Sequence, residues 1–147
     1  MNIQFGKLYK DVMNFKYRTE NSSTTTEQLL LDKSHDENKE RLYLSTFNSI
    51  FFQLAAEYGD SEKTKNHIKE ISDKIFILYQ ESKSEKGKLM IFILDVLDQQ
   101  DDGFIVPNQS AFNNIEPHEL SDAIYSLIDM GILQRRDCEG LAFEYVS

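Results

Sequence analysis

A mainly α fold is predicted, with an N-terminal helical region containing a helical hairpin and a C-terminal unit of helices closed by a small β-hairpin. Three observations predict it. Apolar residues recur at the three-and-four spacing of helices in several segments, from Phe5 near the start to Leu127 near the end. Two short strand-like runs, 132–136 and 141–146, flank the turn Asp137-Cys138-Glu139-Gly140. The 147 residues are 40% hydrophobic and 28% charged, a balance that buries a core and keeps a charged surface. The predicted organisation is a helical region over 1–83, with a flexible loop near 20–33, and a second domain over 84–147.

In the first segment, Phe5, Leu8, Tyr9, Val12 and Met13 repeat at helical spacing and predict a short amphipathic helix within 1–18; Ile3, Phe5 and the pair Phe15 and Tyr17 also fit strand ends. Lys7, Lys10, Lys16 and Arg18 against Asp11 make this segment basic, either as a solvated helix face or as an arm for an acidic partner. The run Asn21-Ser22-Ser23-Thr24-Thr25-Thr26 predicts the loop, because its hydroxyl and amide side chains compete with helical backbone bonds. Ser34-His35-Asp36-Glu37 has the spacing of a capping box and opens a helix through Tyr43, Phe47, Ile50, Phe51, Leu54, Ala55 and Tyr58. Gly59 ends it. Asp60 or Ser61 starts the next helix, with Ile68, Ile71, Ile75, Leu78 and Tyr79 on its apolar side, and the short turn predicts an antiparallel pair.

The runs Ile75 to Tyr79 and Leu89 to Leu94 are apolar around the whole helix. A helix of this kind is covered on every side. So short a chain has few elements to do this, which predicts a homodimer or larger protein complex sharing the surface; complete coverage by the chain's own helices is the alternative.

From Ser84 onward the order is an apolar helix around Leu89 to Leu97, a polar turn at 99–103, and an extended run Phe104 to Pro107. A small helix over Asn108 to Ile115 follows, then a longer one carrying Leu120, Ala123, Ile124 and Leu127, a stop at Gly131, and the hairpin. This order resembles the winged helix-turn-helix family, most closely where Leu127, Gly131, Ile132 and Leu133 lead the last helix into the wing. The likeness covers about the last 60 residues, less than half the chain. It implies a winged-helix-like unit, and with it either nucleic-acid binding or service as a dimerisation or protein-docking module.

Charge decides between these. The outward positions of the helix that would enter a DNA groove are Pro117, His118, Glu119, Ser121, Asp122, Tyr125, Ser126 and Asp129, none of them Lys or Arg. From Leu89 to the end, two basic residues, Arg135 and Arg136, stand against eleven acidic ones, Glu116 among them. Such a face repels phosphate, whose neutralisation by basic side chains supplies most non-specific DNA affinity. Glu116, His118, Glu119, Asp122, Tyr125 and Asp129 are therefore the candidate protein-binding residues. If DNA is bound, the candidates are Arg135 and Arg136 at the wing and Lys63, Lys65, Lys69, Lys86 and Lys88 in the mildly basic 61–88 segment. The bland alternative has the wing arginines solvated or paired with Glu144, and the lysines on a face of mixed sign.

Catalytic chemistry finds little support. His35, His67 and His118 lie in different segments. His118-Glu119-Leu120-Ser121-Asp122 imitates a zinc-protease spacing with aspartate for the second histidine, but no third ligand is evident. Neither metal nor cofactor is expected, and the chain is read as non-enzymatic. A lone cysteine, Cys138, fits a reducing compartment, and Met1 to Met13 has no signal-like apolar run, so a cytoplasmic location away from membranes is expected. The net charge of −9 argues against an unspecialised binder of nucleic acid or anionic membrane. The leading expectation is a protein-binding regulator or complex subunit acting through an acidic C-terminal face; the alternative is a DNA-binding transcriptional regulator.

Overall fold

In a computed structural model of the chain the described residues are 4–18, 23–28, 48, 50, 51, 54–56, 59, 61–139 and 141–146. They are mainly helical and divide into two compact units, 9–76 on one side and 1–8 with 77–147 on the other. The expected boundary at 83/84 lies inside the second of these.

In the 9–76 unit, helix α1 (Phe5–Asn14, whose first residues belong to the other unit) buries Tyr9, Val12 and Met13, as its apolar spacing predicts. The helix stops at Asn14. Lys16–Arg18 forms strand β1, paired antiparallel with β2 (Ser23–Thr25), Lys16 opposite Thr25 and Arg18 opposite Ser23. The loop expected near 20–33 is thus corrected at Ser23–Thr25. β-branched threonines suit a strand when a partner supplies the ladder, and here that partner is the end of the N-terminal segment. Beyond it, Thr25 N donates to Gln28 Oε1 (3.0 Å) and Gln28 N donates to Thr25 Oγ1 (3.2 Å), the reciprocal bonds of a capping box on the helical turn that follows.

Of the first helix of the expected hairpin, Asn48, Ile50, Phe51 and Leu54 to Ala56 are helical, with Ile50 and Leu54 buried. Its capping box and Tyr43, Phe47 and Tyr58 lie outside the described residues. Gly59 has a positive φ, and its N–H donates to Ala55 O (2.9 Å) as expected for a helix stop. Helix α2 (Glu62–Glu81) follows, and Ile68, Ile71, Ile75 and Leu78 are its buried stripe.

The other unit is built around helix α3 (Glu85–Asp98). Ser84 starts it, its Oγ accepting from Gly87 N (3.0 Å) and donating to Glu81 O (2.8 Å), so one hydroxyl closes the α2–α3 turn and caps the new helix. Met90, Ile93, Leu94, Val96 and Leu97 are buried, whereas Phe92 is 41% exposed. The chain itself therefore covers most of this apolar helix and leaves Phe92 outward.

After the turn, Ile105 makes a single antiparallel bridge to Phe143, each N–H donating to the other's carbonyl. The helix expected over Asn108 to Ile115 is shorter, a 3₁₀ turn at Ser110–Phe112 whose bonds run from each N–H to the carbonyl three residues back. Gln109 accepts Val106 N–H (2.8 Å), a side-chain bond that competes with helix formation, and the amide-rich sequence up to Pro117 does not extend the turn. Helix α4 (Pro117–Asp129) has proline at its first position and buries Leu120, Ala123, Ile124 and Leu127, the predicted stripe. Its end is a Schellman motif. Ile132 N donates to Leu127 O (3.0 Å) and Gly131 N to Ile128 O (2.9 Å), with Gly131 at φ 76. Strands β3 (Leu133–Arg135) and β4 (Phe143–Tyr145) then form the predicted hairpin, closed by Arg136 N donating to Ala142 O and Leu141 N to Asp137 Oδ1.

Within this unit β4 also meets the start of α1. Tyr145 lies against Phe5, ring centroids 5.8 Å apart, and its hydroxyl donates to Asp98 Oδ1 and accepts from Gly6 N (3.3 Å). Asp98 Oδ2 accepts from Lys7 N (2.7 Å), so a carboxylate at the end of α3 satisfies an otherwise unpaired donor in the first turn of α1. Among the described residues no helix is long and apolar enough to cross a membrane.

Candidate functional site

The first two turns of α3 run beside the start of α4, and between them lies a cleft of about 500 Å³. Its floor is apolar, made by Leu89, Phe92 and Ile115. Phe92 is held in place by Phe112, whose ring meets it edge-on at 6.1 Å. The helical spacing sets the walls. Glu85, Lys86 and Lys88 come from the α3 side; His118, Glu119 and Asp122, one and three residues apart, share a face of α4. The groove is therefore apolar at its base, basic with one acidic residue along one edge, and acidic along the other.

Two sets of candidates that sequence reasoning assigned to opposite functions meet here. Lys86 and Lys88, proposed for phosphate, face the same groove as His118, Glu119 and Asp122, proposed for protein. Lys88 Nζ lies 3.5 Å from Glu85 Oε1 in an exposed pair, and His118 Nδ1 lies 3.8 Å from Glu116 Oε1. Exposed pairs of this kind contribute little to stability and rearrange readily on binding.

The remaining candidates lie elsewhere. Glu116 is the residue before α4 and Asp129 its last; both are exposed and neither lines the groove. Tyr125, 47% exposed, borders a smaller cleft of about 250 Å³ with Pro107, Pro117, Ser121 and Phe143. Lys63, Lys65 and Lys69 are exposed on the part of α2 within the 9–76 unit, so the basic candidates are split between the two units. Glu62 precedes them along the helix, and Glu70 and Asp73 follow.

Arg135 and Arg136 are exposed, and neither is paired with Glu144. Across the hairpin Glu144 accepts from Gln134 Nε2 (3.4 Å), because Gln134 and not an arginine stands opposite it in register. Arg135 instead donates to Tyr125 Oη (3.4 Å) with its guanidinium 5.5 Å from the ring centroid. Arg136 donates to Asp102 O (3.1 Å) and stacks over Phe104 at 4.3 Å, tying the β3–β4 hairpin to the turn after α3. The guanidinium faces thus rest on aromatic rings of the chain itself.

Sequence reasoning missed Phe92 as an outward residue and the Asp98–Tyr145 pair. The Tyr145 hydroxyl is pushed far above the ordinary tyrosine range by burial first, then by its hydrogen bond to Asp98 and that carboxylate's charge. It therefore stays a protonated structural donor. Among the described residues no group of three His, Cys, Asp or Glu side chains could hold a metal ion, and the His118 to Asp122 spacing gathers no third ligand. No protein-family model, curated protein or solved structure matches the chain.

Proposed function

We propose that this is a non-enzymatic winged-helix protein whose C-terminal unit docks on protein, as a regulator or complex subunit in the cytoplasm. One observation carries the reading: the exposed side of α4 presents Glu119, Asp122, Tyr125 and Asp129 without a basic residue, and it borders a groove whose floor holds the exposed Phe92. An apolar base rimmed by charge is what protein surfaces use to recognise one another, and it has no use for a sugar–phosphate backbone. The winged-helix assignment is supported by the order of elements, the Schellman end at Gly131 and the bridge from Ile105 to Phe143.

The alternative is a DNA-binding transcriptional regulator using Arg135 and Arg136 or the lysines, and the exposure of Lys63, Lys65 and Lys69 favours it. Fluorescence anisotropy with a labelled mixed-sequence duplex separates the two. The docking reading expects no binding even at low salt. Salt-sensitive binding that disappears when Arg135 and Arg136, or Lys63, Lys65 and Lys69, become alanine would install the DNA reading in its place.

A further inference from the structure

We propose that the occupant of the α3–α4 groove is a second copy of this chain, related to the first by a two-fold axis passing close to Phe92. This rests on the protein-docking reading and names its partner.

The argument is one of charge and symmetry. A two-fold interface brings the same patch together from both chains, so the patch must complement itself when rotated by half a turn. A groove with like charge on both edges fails that requirement, because each edge would meet its own sign. Here the edges differ: Lys86 and Lys88, with Glu85 beside them, leave the α3 edge net basic, and Glu119 and Asp122 make the α4 edge acidic. With the two-fold axis running along the groove, half a turn lays the α3 edge of one chain on the α4 edge of the other, twice. Between the edges Phe92 and Leu89 supply the apolar centre, and Phe92 leaves 41% of its surface to be covered. The product is a four-helix layer made of α3 and α4 from both chains, an arrangement that packs apolar stripes between paired helices. Any other partner would need an acidic side facing α3 and a basic side facing α4; this chain carries both at the required places. The same face covers Phe92, the outward residue of a helix most of whose other apolar side chains its own chain already buries.

Sedimentation velocity over a range of concentrations tests the proposal, using the full chain, the pair Lys86→Glu with Lys88→Glu, and the pair Glu119→Lys with Asp122→Lys. All four positions are exposed, and circular dichroism checks that each chain remains helical. The unchanged protein should sediment as a dimer that weakens with salt. Each reversed pair places one sign on both edges and should raise the dissociation constant by at least about ten-fold. Mixed in equal amounts, the two reversed chains should form a heterodimer, one groove acidic along both edges and the other basic along both apart from Glu85. A monomer at every concentration overturns the proposal, as does a dimer indifferent to both reversals or reversed chains that do not pair. A monomer that also ignores duplex DNA removes the second copy while leaving protein docking in place, whereas DNA binding removes the docking reading itself.

Discussion

Replacing Gly87 with alanine lowers the thermal midpoint by roughly 5–10 °C, corresponding to a loss of about 2–3 kcal/mol. Gly87 sits in the first turn of α3, just after the three-residue turn that follows α2. A Cβ there would overlap the backbone carbonyl of Glu81 and come within 2.9 Å of Ser82 N, both fixed parts of the turn. The Glu81 carbonyl cannot move away cheaply, because it accepts both the N–H and the hydroxyl of Ser84. Alanine's better helix propensity offsets about 1 kcal/mol of the cost, and steric overlap with backbone exceeds it. A midpoint unchanged or raised by Gly87→Ala, measured by circular dichroism or calorimetry, would show that the α2–α3 turn is not held as described.

The second large effect is expected at Asp98. Asp98→Ala removes the acceptor for Lys7 N and for the Tyr145 hydroxyl together, leaving a largely buried phenol without its carboxylate, at a cost of about 2–3 kcal/mol. Tyr145→Phe deletes the donor and leaves Asp98 with Lys7 N, so its cost is smaller, about 1 kcal/mol. The double variant should lose less than the two costs added, since the groups share one interaction. The pH dependence has a fixed sign. Below the ordinary tyrosine value of 10.0 both folded and unfolded chains keep the Tyr145 proton, and its contribution to stability is complete. Above it the unfolded chain releases the proton while the folded chain holds it, so stability falls with pH, by up to about 1.4 kcal/mol per unit. The Tyr145→Phe chain lacks this share of the alkaline loss. Parallel alkaline limbs for the two proteins in chemical denaturation would contradict the buried hydrogen bond.

Much of the C-terminal unit was legible because its signals are local. The spacing of Leu120, Ala123, Ile124 and Leu127 fixed the buried side of α4, and Gly131 marked its end through a positive-φ conformation that glycine adopts without the strain a side chain would bring. Ser23–Thr25 misled because threonine carries a polar group and a β-branched stem, and only pairing with Lys16–Arg18 decides which governs. Asp98 and Tyr145 lie 47 residues apart, and in sequence Asp98 is one more charge in an acidic turn. The groove was hidden for the same reason. Lys86 and Lys88 belong to one helix and Glu119 and Asp122 to another, so their charges looked like rival functions until the packing of α3 on α4 set them on opposite edges of one surface.

Amide hydrogen exchange, followed first against protein concentration and then with duplex DNA added, tests the docking role of the groove most directly. Protection should rise with concentration over 85–92 and 114–122, the two walls and their floor, and DNA should leave it unchanged. Exchange in the groove that is independent of concentration, with new protection along α4 or at Arg135 and Arg136 when DNA is added, would contradict the account.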